Sequence, residues 1–189
     1  RCTWPGTGAW DLQQCADAVI RMRAEYLFYT DKADAIHFNY TSGDQINYSD
    51  WVAGKRPVVN GNQVSWKQYS ATQIDRNSFK SYIKNVFTYA GSHSLQQELK
   101  QVEDGKALPG DVLIQGGFPG HAMLVMDVAI NKEGEQIILL AQSYMPAQQM
   151  HIVKNSTGGI QQPWIPFDNE AVTSTPEWSF QSNSLFRFP

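Results

Sequence analysis

Three polar residues of this chain, Cys15, His121 and Gln142, are of the types that together can cleave an amide bond. Hydrolysis by a thiol needs a thiolate as nucleophile, an imidazole that takes and returns its proton, and a third polar group that orients the imidazole. Cys15 is predicted to lie near a helix N-terminus, where free N–H groups and a partial positive charge favour the thiolate. The three residue types therefore match the three roles of a cysteine hydrolase.

The element that would carry Cys15 is a helix predicted over residues 11–29. Asp11 and Gln14 form a predicted capping box, and apolar residues recur at steps of three and four. This apolar stripe consists of Leu12, Cys15, Val19, Met22 and Tyr26. Cys15 would then lie four residues past the cap, where the helix dipole acts more weakly. Taken alone, this position favours a second interpretation, in which Cys15 is a small apolar residue of the buried stripe.

The elements that would carry His121 and Gln142 are the two strands of a predicted β-hairpin. Residues 121–130 and 135–144 are largely apolar, and the turn sequence NKEG separates them. Because both faces of these strands are apolar, we expect the sheet to be covered on both sides. The sequence predicts an antiparallel sheet that packs against the helix at 11–29.

The length of the hairpin turn decides which residues share a face. With a turn of even length, Ile130 faces Glu135 and, further along, His121 faces Tyr144. Alternation then makes His121 and Gln142 diagonal neighbours on one face, within reach of each other's side chains. A turn of odd length would reverse the parity and remove this pairing.

The other polar residues contribute less to the predicted site. Asp127 would share a face with His121, but six residues along a strand span about 20 Å, so we assign Asp127 a structural role at the sheet edge. His37, His93 and His151 lack the spacing of metal ligands. We therefore expect no metal ion and no other cofactor.

The glycine-rich segment GGFPG immediately precedes His121. It lacks the strand–GxxxxGK–helix context of a phosphate-binding loop, so phosphate binding is not indicated. We expect these glycines to let the chain turn tightly and to leave the approach to His121 open.

The order of predicted elements, helices first and an antiparallel sheet afterwards, indicates an α+β fold. Residues 39–66 are rich in turn signals and predict a loop with short strands, whereas residues 75–102 predict two helices. A Pro-Gly turn then leads into a strand. The proline-punctuated tail is predicted to cover the edge of the core with Trp164, Phe167, Trp178 and Phe180.

Length and composition limit the classes of function. A chain of 189 residues with 42% hydrophobic content is long enough to bury one substantial core, so we expect a single domain over residues 1–189. The net charge of −3 comes from interspersed charges without a basic stripe, which argues against a nucleic-acid partner. No segment approaches the run of about 18 to 20 apolar residues that a membrane-spanning helix needs.

The cysteine count and the sequons bear on location and redox state. Two cysteines, Cys2 and Cys15, are too few for a disulfide framework, and a bridge between them would contribute about 3 kcal/mol while blocking the nucleophile. We therefore expect Cys15 to be a free thiol and leave the pairing of Cys2 open. Three N-x-S/T sequons, at Asn39, Asn47 and Asn155, suit a protein outside the cytoplasm.

The order of the motifs resembles the compact papain-like fold of bacterial cell-wall hydrolases, the NlpC-type peptidases and CHAP amidases. The motifs are QQCADAV on the helix, PGDVLI, the glycine-rich turn into GHAMLVMDV, and a polar residue on the next strand. This resemblance implies N-terminal helices packed on an antiparallel sheet. It also implies Cys15 as the nucleophile, His121 as the base and Gln142 as the orienting residue.

A second resemblance spans most of the chain. The segments DLQQCADAVIRMRAEYL, FTYAGSHSL, GGFPGHAMLVMDVA, LLAQSYMPAQ and TPEW are similar to a family of uncharacterised secreted or lipid-anchored bacterial proteins, a domain of unknown function. This resemblance implies a location in the cell envelope and supplies no activity. Its members extend further at the N-terminus, so we expect residues 1–10 to replace or truncate a segment.

Two functions agree with these observations. The first is a thiol hydrolase, an amidase or peptidase, that acts on an amide such as those of cell-wall peptides. The second is a non-catalytic envelope module that binds a peptide or glycan in an aromatic cleft, for which the candidate platforms are Trp51, Trp66, Trp164 and Trp178. The candidate substrate-binding residues are Trp51, Trp66 and Tyr144. Both predict a peptide, amide or glycopeptide ligand and a secreted, periplasmic or envelope-associated protein, with the oligomeric state left open.

Overall fold

The computed structural model describes residues 14–146, 148–156, 158 and 162–189, and within them the fold is a mixture of helices and antiparallel strands. Within the described residues the helices lie before residue 99, and the largest sheet is built from strands that follow it. Their bounds are α1 Cys15–Tyr29, α2 Tyr48–Val52, α3 Arg76–Tyr89 and α4 Ser92–Glu98, with a short 3-10 turn at Ala33–Ala35.

In the described part of the chain the strands form one seven-stranded sheet and three two-stranded ones, and their pairs are antiparallel. The large sheet has the order β10-β8-β7-β6-β13-β5, with β9 also paired to β8, and the small sheets are β1–β2, β3–β4 and β11–β12. The strand bounds are β1 His37–Asn39, β2 Gln45–Asn47, β3 Lys55–Asn60, β4 Gln63–Gln68, β5 Lys100–Gln101, β6 Val112–Gln115, β7 His121–Ile130, β8 Gln136–Gln142, β9 His151–Ile152, β10 Ile165–Phe167, β11 Thr173–Ser174, β12 Ser179–Phe180 and β13 Leu185–Arg187.

Helix α1 begins later than the sequence predicts. Its N-cap is Gln14, whose backbone N–H donates to the carboxylate of Asp17 at 2.9 Å. Asp11 and Leu12, which belonged to the predicted first turn, lie outside the described residues. Because the cap is Gln14, Cys15 is the first residue of the helix, where the helix dipole acts most strongly.

Strand β7 lies between two hydrophobic cores. On the helix-side core, Ala122 and Leu124 pack with buried residues of α1, α3 and α4. On the strand-side core, Met123 and Val125 pack with residues of β8, β10, β12 and β13. The alternation of side chains along β7 therefore supplies both cores, as the two-sided apolar pattern predicts.

The register of the β7–β8 hairpin agrees with the prediction near His121 and departs from it near the turn. Leu124 pairs with Ala141, as predicted, but Ile130 pairs with Gln136, so the turn has odd length. A β-bulge between Val125 and Asp127 inserts one extra residue into β7. Because the bulge shifts the register by one, it compensates for the odd turn and restores the predicted parity at the His121 end.

The C-terminal tail enters the large sheet instead of only covering its edge. Strand β13 pairs with both β6 and β5, and the guanidinium of Arg187 binds the buried carboxylate of Asp111 through two hydrogen bonds, of 2.6 and 2.8 Å. Phe167 and Phe180 are buried in the strand-side core, as expected for covering residues. The sequence misses β13 because a strand of three residues carries almost no alternation signal.

The segment at 39–66 is more ordered than its turn signals suggest. It contains helix α2 as well as the hairpin of β3 and β4, whose strands have six residues each. The ring of Trp51 on α2 packs edge to face against Tyr82 of α3, with ring centroids 6.0 Å apart. Packing against α3 thus stabilises a helix that is too short to form alone.

A carboxyl group at the end of α4 makes stability depend on pH. Glu98 accepts a hydrogen bond from the backbone N–H of Asn39 on β1. Burial nevertheless dominates and raises the pKa of Glu98 from 4.5 to about 7. In the folded protein the protonated carboxyl is therefore favoured over a wider pH range than in the unfolded chain.

We expect the free energy of unfolding to fall as the pH rises from about 4.5 to about 7. In this window the unfolded chain releases the proton of Glu98 while the folded chain retains it. The stabilisation is therefore greatest below pH 4.5 and is lost as the pH rises through about 7. Urea unfolding of the wild type and of Glu98→Gln across this range measures the effect. The Gln variant keeps the acceptor for Asn39 and should lose this part of the pH dependence; an identical pH profile would contradict the assignment.

Candidate functional site

The thiol of Cys15 lies at the N-terminus of α1, against the backbone of β7. The backbone N–H groups of Ala122, Ala16 and Cys15 itself face the sulfur. Ala122 is the residue that follows His121, so the fold brings the cysteine to the strand position next to the histidine. Within the described residues Cys15 is a free thiol, and Cys2 lies outside them.

Two opposing effects act on the protonation of Cys15. Burial raises the pKa of the thiol, and the negative charge of Asp17 adds to the increase, while the N–H groups of Ala122 and Ala16 lower it. Burial is the largest effect, so the pKa of Cys15 lies above its ordinary value. At neutral pH the cysteine of the unliganded protein is therefore a thiol, and it needs a base to become a nucleophile.

His121, the first residue of β7, is the buried imidazole that could act as this base. Its Nε2 lies 2.7 Å from Oε1 of Gln142 at the end of β8, which is the diagonal contact that the hairpin register predicts. The amide Nε2 of Gln142 donates to Oε2 of Glu177 at 3.0 Å. The side chains of His121 and Gln142 are 2% and 1% exposed, so this hydrogen-bonded chain starts in the protein interior and ends at an exposed carboxylate.

The hydrogen-bonded chain determines which nitrogen of His121 carries the proton. An ionised carboxylate only accepts hydrogen bonds, so the NH₂ group of Gln142 must face Glu177 and its carbonyl oxygen must face the imidazole. In the neutral ring, Nε2 therefore carries the hydrogen and donates it to Gln142. The other nitrogen, Nδ1, keeps its lone pair and can accept a proton.

Aromatic rings enclose the imidazole on the strand-side core. The ring centroid of His121 lies 5.3 Å from that of Tyr144, 5.4 Å from Trp178 and 6.0 Å from Phe180. Burial lowers the pKa of His121, although the bond to Gln142 and the charge of Glu177 oppose the change. At neutral pH the imidazole is therefore uncharged and able to act as a base.

Cys15 and His121 approach β7 from different sides. Cys15 belongs to α1, which packs with Ala122 on the helix-side core. The ring of His121 contacts Phe180, a residue of the strand-side core. The thiol therefore faces the backbone N–H of Ala122, the residue after His121, while the imidazole packs on the opposite side of the strand.

Helix α4 holds the glycine-rich turn that leads into His121. The side-chain oxygen of Gln96 accepts a hydrogen bond of 2.6 Å from the backbone N–H of Gly116, and the hydroxyl of Ser92 donates to the carbonyl of Gly117 at 3.4 Å. A methyl group at Gly120 would lie 2.6 Å from the carbonyl oxygen of Gly117 and 2.7 Å from that of Gln115. Close backbone packing is thus the reason for glycine here, together with the tight turn that the sequence predicts.

We expect Gly120→Ala to destabilise the protein by about 1–3 kcal/mol, because its methyl group would overlap backbone atoms that cannot move independently. Chemical denaturation measures the change in the free energy of unfolding. Gly91→Ala is the matched control, since its added methyl group meets no atom within 4 Å. Equal losses for the two variants would show that the packing around Gly120 is not the constraint.

The predicted ligand-binding aromatic residues fall into two groups. Tyr144 touches the imidazole of His121 and is half-buried, so it belongs to the site. Trp51 is 8% exposed and its ring is covered by the guanidinium of Arg56, 3.9 Å from the centroid. Trp66 lies on β4 beneath the ammonium of Lys55, at 4.5 Å. The structure therefore places Trp51 in the helix-side core and Trp66 against it, rather than beside His121.

The remaining predictions concern metal ligands and Asp127. In the part of the chain that the structure describes, no group of three or more His, Cys, Asp and Glu side chains could hold a metal ion. Asp127 follows the bulge and accepts a hydrogen bond from the backbone N–H of Val128, which agrees with its predicted structural role. None of the described helices is long and apolar enough to cross a membrane.

Sequence reasoning missed Glu177, the last member of the hydrogen-bonded chain. It lies in the segment TPEW, whose only signal in the sequence is its similarity to the family of unknown function. The spacing of apolar residues does not indicate that this turn contacts Gln142 of β8, which lies 35 residues earlier in the chain. The only local signal is the pattern of turn residues, which predicts a turn but not its partner.

Comparison with known proteins gives the family and no activity. The family model described as "Domain of unknown function (4846)" matches residues 6–187. This match covers nearly the whole chain, so the chain belongs to that family. No curated protein and no solved structure matches it significantly.

Proposed function

We propose that this member of the domain family of unknown function 4846 is a thiol hydrolase that cleaves an amide bond. Cys15 is the proposed nucleophile, His121 the base and Gln142 the residue that orients the imidazole. The observation that carries the proposal is the chain from Glu177 through Gln142 to His121, which leaves Nδ1 as a base on the residue that precedes Ala122, whose backbone N–H faces the sulfur of Cys15.

The proposed reaction starts from an uncharged thiol and an uncharged imidazole. As the sulfur of Cys15 attacks the carbonyl carbon of the substrate, Nδ1 of His121 takes the thiol proton. The same proton passes to the leaving amine when the C–N bond breaks, which leaves a thioester on Cys15. His121 then takes a proton from water, the resulting hydroxide attacks the thioester, and the thiol leaves with the proton from His121.

The proposed fold class is the papain-like one of NlpC-type peptidases and CHAP amidases. Two features support it: a cysteine as the first helical residue, and a histidine that starts a strand and bonds to a polar residue on the next strand. We further propose a peptide or glycopeptide amide of the cell envelope as substrate and a secreted or envelope-associated protein. The contact between Tyr144 and the imidazole makes its half-buried ring the candidate surface for the substrate.

A non-catalytic binding module is the second candidate function. The observation in its favour is the loss of solvent around both reactive groups, partial at Cys15 and nearly complete at His121, which raises the pKa of Cys15 and lowers the pKa of His121. A thiolate–imidazolium pair is therefore disfavoured in the unliganded protein. In this function the aromatic residues around His121 would line a ligand site. Cys15 would be a small packing residue at the N-terminus of α1.

We expect His121→Ala to slow the alkylation of Cys15 by iodoacetamide at pH 7 by about tenfold, because the partly buried thiol then lacks a base to take its proton. Gln142→Ala should slow it less, since Gln142 only orients the ring. The rates are measured by mass spectrometry in a Cys2→Ser background, with Cys15→Ala as the blank.

His93→Ala is the matched control for this experiment, because His93 is an exposed histidine on α4. Its rate of alkylation should equal that of the wild type. If Cys15 reacts as an ordinary thiol and neither His121→Ala nor Gln142→Ala changes its rate, the hydrolase is excluded and the binding module replaces it.

The pH profile of the same reaction gives a separate prediction. Protonated His121 cannot accept the thiol proton, so alkylation should fall at low pH, with a midpoint below 6.5 because burial lowers the pKa of His121. Gln142→Ala removes a bond that raises this pKa, so the midpoint should move further towards acid. A midpoint above 6.5 would be inconsistent with the buried, uncharged imidazole.

A further inference from the structure

We infer that Glu177 is a positioning residue of the site, which a rigid turn carries to Gln142 so that His121 keeps one tautomer. The turn spans residues 175–178 and joins β11 to β12. It contributes both Glu177, which binds Gln142, and Trp178, which packs on the imidazole. The next strand supplies Phe180, the third of the rings around His121.

The turn is held closed by Thr175. Its backbone N–H donates to the carbonyl of Trp178 at 2.8 Å, and its hydroxyl donates to the same carbonyl at 2.8 Å. The backbone N–H of Trp178 returns a hydrogen bond of 3.1 Å to the hydroxyl oxygen. Thr175 is buried, and β11 and β12 pair on either side of the turn. These contacts fix the backbone from which the exposed side chain of Glu177 reaches Gln142.

The effect of Glu177 on His121 is transmitted through the amide of Gln142. Without a partner for its NH₂ group, this amide could rotate by half a turn and offer a donor to Nε2 of His121. The imidazole would then carry its proton on Nδ1, and that nitrogen could no longer act as a base. The carboxylate also favours a positive charge on the ring, and its removal lowers the pKa of His121 further.

The role of Nδ1 as a base rests on the proposed function, whereas the control of the tautomer is a property of the ring itself. The experiment is therefore performed with Cys15→Ser protein labelled with ¹⁵N, in which long-range ¹H–¹⁵N correlation reports the tautomer and the pKa of His121. The variants are Glu177→Ala, which removes the acceptor and the charge, and Glu177→Gln, which removes only the charge. The control is Glu170→Ala, which replaces an exposed glutamate of the same C-terminal segment.

We expect the wild type and Glu177→Gln to hold the hydrogen on Nε2, and Glu177→Ala to show a several-fold larger population with the hydrogen on Nδ1. The pKa of His121 should fall in both Glu177 variants and stay unchanged in Glu170→Ala. If Glu177→Ala keeps the wild-type tautomer, or if the control changes it equally, the inference is wrong. The alkylation experiment, in which Cys15 is intact, tests the hydrolase separately. A changed tautomer in Glu177→Ala, together with alkylation of Cys15 that His121→Ala does not slow, would uphold the positioning role and exclude the hydrolase.

Discussion

The antiparallel pairing of β7 with β8 is the interaction on which the rest of the described structure depends. Strand β7 contributes Ala122 and Leu124 to the helix-side core and Met123 and Val125 to the strand-side core. A slip of one residue would exchange these two sets and move the imidazole of His121 away from Gln142. Both cores and the candidate site therefore require the same register, and the bulge after Val125 sustains it across a turn of odd length.

Burial is the dominant influence on the chemistry of the site. Burial raises the pKa of Cys15, against the backbone N–H groups of Ala122 on β7 and Ala16 on α1. It lowers the pKa of His121, against the hydrogen bond to Gln142 and the charge of Glu177. Removing a charge from water costs more than these polar contacts return, so both groups are uncharged at neutral pH. The proposed hydrolase would therefore depend on proton transfer during the reaction instead of a preformed ion pair.

The candidate site is assembled from distant parts of the chain. Cys15 comes from the first described helix, His121 and Gln142 from the central hairpin, and Glu177 from a turn near the C-terminus. The last strand, β13, lies beside β6 in the large sheet, and the ion pair of Arg187 with Asp111 attaches it there. The end of the chain thus completes the strand-side core that encloses the imidazole, which links the stability of the fold to the geometry of the site.

Local patterns in the sequence were sufficient for the elements with strong periodicity. Helix α3, most of α1 and the existence of the β7–β8 hairpin follow from apolar spacing, which depends only on neighbouring residues. The predicted contact between His121 and Gln142 is present because the bulge offsets the odd turn, which apolar spacing does not indicate. The same is true of the antiparallel sheet and its two covered faces.

Other features were decided by tertiary contacts that local spacing does not encode. The start of α1 at Cys15, the bulge that compensates for the odd turn, the burial of Trp51 and the insertion of β13 all depend on packing against remote segments. The contact from Glu177 to Gln142 is of the same kind, because a short turn has no preferred partner until the strand-side core brings it to β8. Sequence alone thus identified the residue types that could do chemistry. The three-dimensional packing determined that Glu177 contacts Gln142, and it determined the protonation states of Cys15 and His121.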